Sequence, residues 1–160
     1  MSDERSMKHL FAEYDALRAR FPAGFESSLV LPCLRRVQEA RGYVADGDID
    51  DLVAYLGVPR IQIEEVLSFY TQFRRKPIGR WHIQACRNVS CSLCGAERII
   101  EHLTRTLGIG PGQTTGDGRF TLSTVECVAS CGGAPVVLIN DTYHERVNPE
   151  QLDAVLATLT

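Results

Sequence analysis

Five of the six cysteines in this 160-residue chain fall in two short runs. The runs are CRNVSCSLCG at residues 86–95 and CVASCGG at residues 127–133. Thiolates that are bunched in this way are more often metal ligands or redox partners than packing residues. We therefore interpret the rest of the chain as a scaffold for whatever these sulfurs bind.

Charge and hydropathy exclude several classes of protein. The formal net charge of −3 gives no electrostatic basis for binding nucleic acid or an anionic membrane. No apolar run approaches the roughly 18 residues needed to span a bilayer, and residues 1–5 are charged with no apolar stretch behind them. We expect a cytoplasmic protein without direct membrane insertion. Cysteines there stay reduced, so a cluster of them favours metal binding or catalysis over disulfides.

The apolar spacing of residues 1–75 predicts a small bundle of four short helices. Ser27 or Ser28 is expected to cap the second helix, and Gly42 and Gly57 to end the second and third. Cys33 is expected to pack as a small buried residue of the second helix. The four helices are predicted around Leu10, Phe11, Tyr14, Leu17 and Phe21; around Val30, Leu31, Leu34 and Val37; from Asp48 or Ile49 to Leu56; and around Ile61, Ile63, Val66, Leu67 and Tyr70.

Residues 74–80 are a charged linker, and the pattern of the chain changes after it. Alternating residues predict strands that end at Cys86 and Cys127, and Asn148 is a good helix N-cap. The glycine-rich stretch 108–118 is expected to be a loop. It follows a helix, so it lacks the strand that precedes a nucleotide-binding fingerprint. The order is β-α-β-β-β-α, and we predict an α+β protein with domains at residues 1–75 and 76–160.

The cysteine spacing allows several chemistries. Loops from adjacent strand ends can bring Cys86, Cys91, Cys127 and Cys131 around one point, which suits a [2Fe–2S] cluster or a structural zinc. Small residues in both loops favour the cluster, because they let backbone N–H groups approach sulfide. The C-x4-C-x2-C spacing of Cys86, Cys91 and Cys94 is also the plant-type ferredoxin pattern, so Cys94 could replace Cys131. Cys91 and Cys94 further form a C-x-x-C ahead of a helix, typical of a thiol–disulfide oxidoreductase.

The chain as a whole resembles the small [2Fe–2S] subunit of NADH:quinone oxidoreductase, respiratory complex I. It is similar also to related subunits of NAD-linked hydrogenases and formate dehydrogenases. The resemblance runs in order along nearly the whole chain. It is carried by GYV at 42–44, VLSFYTQF at 66–73, HIQAC at 82–86, LGI at 107–109, FTL at 120–122, VEC at 125–127 and AP at 134–135.

The resemblance implies a helical bundle followed by a thioredoxin-like [2Fe–2S] ferredoxin domain. It also implies that Cys86, Cys91, Cys127 and Cys131 ligate the cluster. Cys94 stands where the family commonly has a larger, often basic residue. Residues 128–130, Val-Ala-Ser, depart from the usual Leu-Gly-Ala, which leaves the local backbone of that loop in question.

The function implied is one-electron transfer between this cluster and the flavin of a partner subunit that oxidises NADH. FMN and NADH would bind that partner, and this chain would supply no catalytic residue. The complex would hold the chain in the cytoplasm at the inner membrane, and an apolar docking patch should stay exposed on the isolated chain. The histidines His9, His82, His102 and His144 are scattered and are expected to be structural, with His82 closest to the cysteines in sequence.

Overall fold

The computed structural model describes residues 10–159, apart from the side chain of Phe11, and it divides into two compact units between Pro77 and Ile78. In the part of the chain described, no helix combines the length and apolar character needed to cross a bilayer.

The N-terminal unit is helical. Its elements are α1 (Phe11–Arg18), a 3₁₀ turn (Glu26–Leu29), α2 (Val30–Arg41), α3 (Asp46–Leu56) and α4 (Arg60–Phe69). As predicted, Gly42 and Gly57 end α2 and α3 with positive φ angles of 88° and 70°. The helices enclose a single apolar core, and Cys33 is fully buried in it. The largest side chains of that core that are fully buried are Tyr14, Leu29, Leu34, Ile49, Leu52 and Ile63.

Two predicted helix starts are wrong. Neither Ser27 nor Ser28 caps α2, because the chain enters that helix directly from the 3₁₀ turn and Val30 N–H donates to the carbonyl of Ser27. Helix α3 begins at Asp46, two or three residues before the predicted start at Asp48 or Ile49. The reason is that Asp48 caps from inside the first turn, where its carboxylate accepts the N–H of Ala45 at 2.8 Å.

Three residues that were expected in apolar stripes are exposed instead. Phe21 lies beyond the end of α1, and Tyr70 has already left the helical conformation at the end of α4. Ile61 is 58% exposed because the buried face of α4 carries Ile63 and Leu67. The prediction that placed Phe11 in the first stripe concerns a side chain outside the described residues.

The C-terminal unit is a mixed sheet with helices. Its elements are β1 (Trp81–Cys86), α5 (Val89–Leu93), α6 (Ala96–Leu107), β2 (Gln113–Thr114), β3 (Phe120–Val125), a 3₁₀ turn (Cys131–Gly133), β4 (Val137–Ile139), β5 (Thr142–His144) and α7 (Pro149–Thr158). The strand order is β2-β3-β1-β4-β5. Strands β1 and β3 run parallel, and the other three pairs are antiparallel. The α+β prediction is confirmed.

The order of elements differs from the predicted β-α-β-β-β-α by one helix and one strand. Helix α5 lies inside the first cysteine run, where we expected only a loop. Strand β2 lies in the glycine-rich stretch, because residues 113 and 114 pair with Leu122 and Thr121 of β3. The predicted start of the last helix is confirmed, since Asn148 accepts the N–H of Gln151 at 2.8 Å.

Candidate functional site

Both cysteine runs leave the sheet at the same edge. In the parallel pair β1–β3, Cys86 lies opposite Val125, and each is the last residue of its strand. Residues 86–95, the first cysteine loop, and residues 126–133, the second cysteine loop, therefore begin side by side. This is the arrangement that the sequence predicted from two strands that end near cysteines.

The first cysteine loop is compact because it folds into helix α5. Asn88 caps this helix through its side chain, which accepts the N–H of Val89 at 2.9 Å. Cys86 and Cys91 are 4% and 1% exposed. Cys94 ends the helix, where its N–H donates to the carbonyl of Ser90, and its side chain is exposed. The loop thus presents two buried thiols and one exposed thiol.

The second cysteine loop is more open. Cys127 and Cys131 are both exposed. Ala129 lies between them with a positive φ of 60°, and its N–H donates to the Cys127 sulfur at 3.2 Å. Cys131 opens the 3₁₀ turn that leads to Gly133. Ala129 thus adopts a backbone conformation that glycine favours, and its amide is directed at a sulfur.

The surroundings of Cys91 favour its neutral thiol. Burial raises the pKa of the Cys91 thiol to about 11, and a hydrogen bond with Cys86 and the charge of Cys131 contribute to the rise. A hydrogen bond from the backbone N–H of Val136 opposes this rise. Without a bound metal, the buried Cys91 therefore remains a neutral thiol at neutral pH.

An ion pair and backbone hydrogen bonds fasten the two loops together. The Arg87 guanidinium donates to the Glu126 carboxylate at 2.8 and 2.5 Å, and the N–H of Arg87 donates to the carbonyl of Val125 at 3.0 Å. The Cys86 thiol also donates a long hydrogen bond of 3.9 Å to the carbonyl of Glu126. These contacts fix the starting points of the loops relative to each other.

The donor set fits an iron–sulfur cluster. The four cysteines belong to two loops that start side by side, and the N–H of Ala129 is directed at the sulfur of Cys127, as hydrogen bonds to cluster thiolates require. A buried thiolate at Cys91 needs a compensating positive charge, which metal ions supply. Among residues 10–159, no group of three or more His, Cys, Asp or Glu side chains is arranged to hold one metal ion. A [2Fe–2S] cluster has two thiolates on each iron, so it does not need three protein ligands around one ion.

Comparison with known proteins decides the family. The family of thioredoxin-like [2Fe-2S] ferredoxins matches residues 14–160. This chain belongs to the thioredoxin-like [2Fe-2S] ferredoxin family. It is 44% identical over 144 residues to an E-type subunit of the NADH-quinone oxidoreductase of Rhizobium meliloti, a match that covers 90% of this chain and 84% of that relative. It is 40% identical over 142 residues to NADH-quinone oxidoreductase subunit 2 of Thermus thermophilus, covering 88% of this chain and 78% of that relative.

A solved structure of an NAD+-reducing [NiFe]-hydrogenase is also similar to this ferredoxin-family chain. The TM-score is 0.68 at 26% identity over 79% of this chain. The chain spans only 22% of that hydrogenase chain. The expected similarity to subunits of NADH-quinone oxidoreductases and of NAD-linked hydrogenases is thus confirmed.

Two of the described histidines, and Cys33, are held by contacts outside the cysteine loops of this ferredoxin-family unit. His82 lies 2.8 Å from the hydroxyl of Ser123, and His102 lies 2.7 Å from the carboxylate of Asp153. Cys33 belongs to the core of the other unit, where burial raises the pKa of its thiol to about 12. His9 lies outside the described residues.

Sequence reasoning missed the residues that support the second cysteine loop from outside. Tyr143, Glu145 and Arg146 contact that loop through hydrogen bonds. None of them belongs to a recognisable motif. They reach the loop only because β4 and β5 pair as a hairpin at the sheet edge, which residue spacing does not reveal.

Proposed function

We propose that this chain is the electron-transfer subunit of an NADH:quinone oxidoreductase and carries one [2Fe–2S] cluster. The observation that carries the proposal is the pair of cysteine loops that leave neighbouring strand ends, so that both cysteine runs begin at one edge of the sheet. The NADH-quinone oxidoreductase subunits that the chain resembles support the choice of complex. The cluster would supply one-electron redox chemistry, and this chain would supply ligands, backbone N–H groups and a docking surface.

The proposed ligands are Cys86, Cys91, Cys127 and Cys131. The alternative set replaces Cys131 with Cys94. The first set is supported by the second loop, which carries Cys131 together with Cys127, and by Cys131 being among the groups that raise the pKa of Cys91. Cys94, Cys127 and Cys131 are all exposed, so exposure does not separate the two sets.

The partner would be the subunit that binds FMN and NADH. Val89 and Leu93 lie one turn apart on α5 and are 69% and 84% exposed, on either side of the buried Cys91. Apolar side chains this exposed beside a redox centre suit a protein interface. The partner's flavin would exchange single electrons with the cluster there, and the complex would hold the chain in the cytoplasm at the inner membrane.

The helical unit offers a second apolar surface. Phe69 is 77% exposed at the end of α4 and packs edge-on against Tyr70, with ring centroids 5.1 Å apart. We propose that residues 1–75 form a separate domain that binds the same partner through these rings, while residues 76–160 form the cluster domain.

A second host complex is favoured by one observation. The similarity to an NAD+-reducing [NiFe]-hydrogenase supports a subunit of an NAD-linked hydrogenase, or by the same reasoning of a formate dehydrogenase. The chemistry of this chain would be the same there. The complex that copurifies with the chain distinguishes these hosts.

The alternatives of another class are a Cys91–Cys94 dithiol and a structural zinc. Thiol–disulfide exchange needs a thiolate of low pKa, whereas burial raises the pKa of Cys91 to about 11. Zinc needs four ligands around one ion. Both alternatives predict a colourless protein.

Iron and acid-labile sulfide, measured on anaerobically purified protein, test the proposal. We expect about two of each per chain and a visible spectrum that bleaches with dithionite. Cys131→Ser should abolish or change the cluster, and the matched variant Cys94→Ser should keep both iron and spectrum. One zinc per chain, or no metal and a Cys91–Cys94 disulfide, would overturn the proposal. Loss of the cluster in Cys94→Ser alone would establish the alternative ligand set.

A further inference from the structure

The segment 143–146, at the end of β5, reaches across to the second cysteine loop. The Tyr143 hydroxyl donates to the carbonyl of Val128 at 3.0 Å. The N–H of Arg146 donates to the carbonyl of Gly133 at 2.6 Å, and its guanidinium donates to the carbonyl of Gly132 at 3.3 Å. Three backbone carbonyls of the loop thus find their partners on one short segment.

Glu145 adds a carboxylate to this contact. It accepts a hydrogen bond from the hydroxyl of Ser130, the residue directly before Cys131. Its side chain also lies against Gly133, so closely that a Cβ on that glycine would be 2.7 Å from Cγ of Glu145. Gly133 is buried, so the close approach is part of how the loop packs.

The loop is anchored at its start by the Arg87–Glu126 ion pair and by the buried Val128, and the part that follows needs further support. Cys127 and Cys131 are exposed, and Ala129 holds a left-handed conformation that alanine adopts at a cost. The loop's own hydrogen bonds are short-range, from the N–H of Gly133 to the carbonyl of Ser130 at 3.0 Å and from Ala134 to Cys131 at 3.3 Å. Contacts from residues 143–146 therefore fix the part of the loop from Val128 to Gly133, which contains Cys131 and follows Cys127.

We propose that Tyr143 and Glu145 are positioning residues for the cluster. Tyr143 holds the loop that carries Cys127 and Cys131, and Glu145 places a negative charge beside it. This inference rests on the ligand set of the proposed function. Neither residue is expected to touch the partner's flavin or any substrate.

Glu145 is expected to affect the reduction potential, and Tyr143 the rate of iron release. Reduction adds one negative charge at the cysteine loops, and a neighbouring carboxylate disfavours that charge. Glu145 therefore lowers the reduction potential, and its removal raises it. The Tyr143 hydrogen bond instead stabilises the loop against the opening that releases iron.

Redox titration of the full-length cluster protein tests the role of Glu145. Glu145→Gln keeps an acceptor for Ser130 and removes the charge, so the potential should shift upward with iron content unchanged. Gly133→Ala keeps the charge but pushes the carboxylate aside, so the shift should have the same sign and be smaller. Glu101→Gln, in the exposed middle of α6, removes an equal charge elsewhere on the unit and should leave the potential unchanged.

Iron release to a chelator tests the role of Tyr143. Tyr143→Phe removes only the hydroxyl, and iron loss should become roughly 2- to 10-fold faster, as expected for one net hydrogen bond. Tyr43→Phe makes the same change in the helical unit and should leave the rate unchanged. The spectrum of the reduced Tyr143→Phe protein should also broaden or shift, because the ligands are less firmly placed.

The outcomes separate this inference from the proposed function. If wild-type protein carries no [2Fe–2S] cluster, the proposed function fails and this inference fails with it. If the wild type is loaded but Glu145→Gln keeps the wild-type potential, or shifts it no more than Glu101→Gln, the role of Glu145 is overturned. Wild-type iron release from Tyr143→Phe would overturn the role of Tyr143.

Discussion

The imidazole of His82 lies 2.8 Å from the hydroxyl of Ser123, across the parallel pair of strands β1 and β3. His82 is the histidine nearest to the cysteines in sequence, and it shares a strand face with Cys86. Four residues along a strand span about 13 Å, which puts this side chain beyond the reach of a sulfur at Cys86. His82 therefore belongs to the sheet, and its role is structural.

Removal of the His82–Ser123 contact should lower the free energy of unfolding and leave the iron content unchanged. His82→Ala should reduce the free energy of unfolding by about 1–3 kcal/mol, since it leaves the buried strand pair with a lost hydrogen bond and a small cavity. Ser123→Ala should cost less, and a double-mutant cycle in urea should give a coupling of about 0.5–1.5 kcal/mol. Changed iron content or a changed visible spectrum in either variant would contradict the structural role.

Because Ala129 has a left-handed backbone conformation, replacing it with glycine should stabilise the protein. Its φ of 60° costs an alanine about 1 kcal/mol relative to glycine, so Ala129→Gly should raise the free energy of unfolding by up to about 1 kcal/mol. Gly108→Ala is the matched control, because Gly108 has a φ of 67° and a Cβ there would meet no atom within 4 Å. It should lower stability by about the same amount. Urea unfolding measures both variants, and destabilisation by Ala129→Gly would show that the loop adapts to alanine.

The exposed face of α5 gives a prediction about assembly. Leu93→Glu places a charge at a side chain that is 84% exposed, so the isolated chain should fold and load iron normally. If α5 docks the flavoprotein, the buried charge should weaken binding at least about tenfold, as at an interface hot spot. Ala157→Glu, on the exposed side of α7, is the control and should bind normally. Copurification of the flavoprotein with Leu93→Glu in normal yield would place the interface elsewhere.

The sequence predicted the features that depend only on residues close by in the chain. The Asn148–Gln151 capping box and the glycines that end α2 and α3 are examples, since each acts within one helical turn. Helix α5 was missed because valine, serine and cysteine are weak helix formers, and only the Asn88 cap starts the helix. Strand β2 was missed because two residues among glycines become a strand only by pairing with β3.

The candidate site also has parts that the sequence predicts and parts that it does not. The cysteine runs were visible from spacing, and the parallel strands brought them to one edge as expected. The contacts of Tyr143 and Glu145 were not visible, because they join residues 15 apart through a hairpin at the sheet edge. Sequence patterns identify candidate ligands, whereas the side chains that hold them in place depend on tertiary pairing.

Asp48 gives a prediction about the pH dependence of stability. Its carboxylate is buried, and burial raises its pKa above the ordinary 3.8, although the Ala45 N–H and Arg41 oppose the rise. A raised pKa means that the folded state retains a proton that the unfolded state has lost. The contribution of Asp48 to stability is therefore fully present below pH 3.8 and is lost as the pH rises through the folded-state pKa.

Asp48→Asn should remove this dependence. The stability of the variant relative to wild type should rise as the pH increases from about 4 toward neutrality. Glu39→Gln is the control of opposite sign, because hydrogen bonds from Arg35 and Arg36 lower the pKa of Glu39. Its relative stability should fall over the same range, and only weakly because the group is exposed. Urea unfolding at several pH values measures both trends, and a flat difference for Asp48→Asn would contradict the raised pKa.

The two cysteines outside the proposed ligand set should differ in reactivity. Cys33 is fully buried and its pKa is raised to about 12, so almost none of it is thiolate at neutral pH and no reagent reaches it. Cys94 is exposed and should react with iodoacetamide in the cluster-loaded protein. Mass spectrometry after brief anaerobic labelling should find the label on Cys94, and label on Cys33 should appear only after denaturation. Protection of Cys94 with labelling of Cys131 in the loaded protein would mean that Cys94 is a ligand, because a thiolate bound to iron does not alkylate readily.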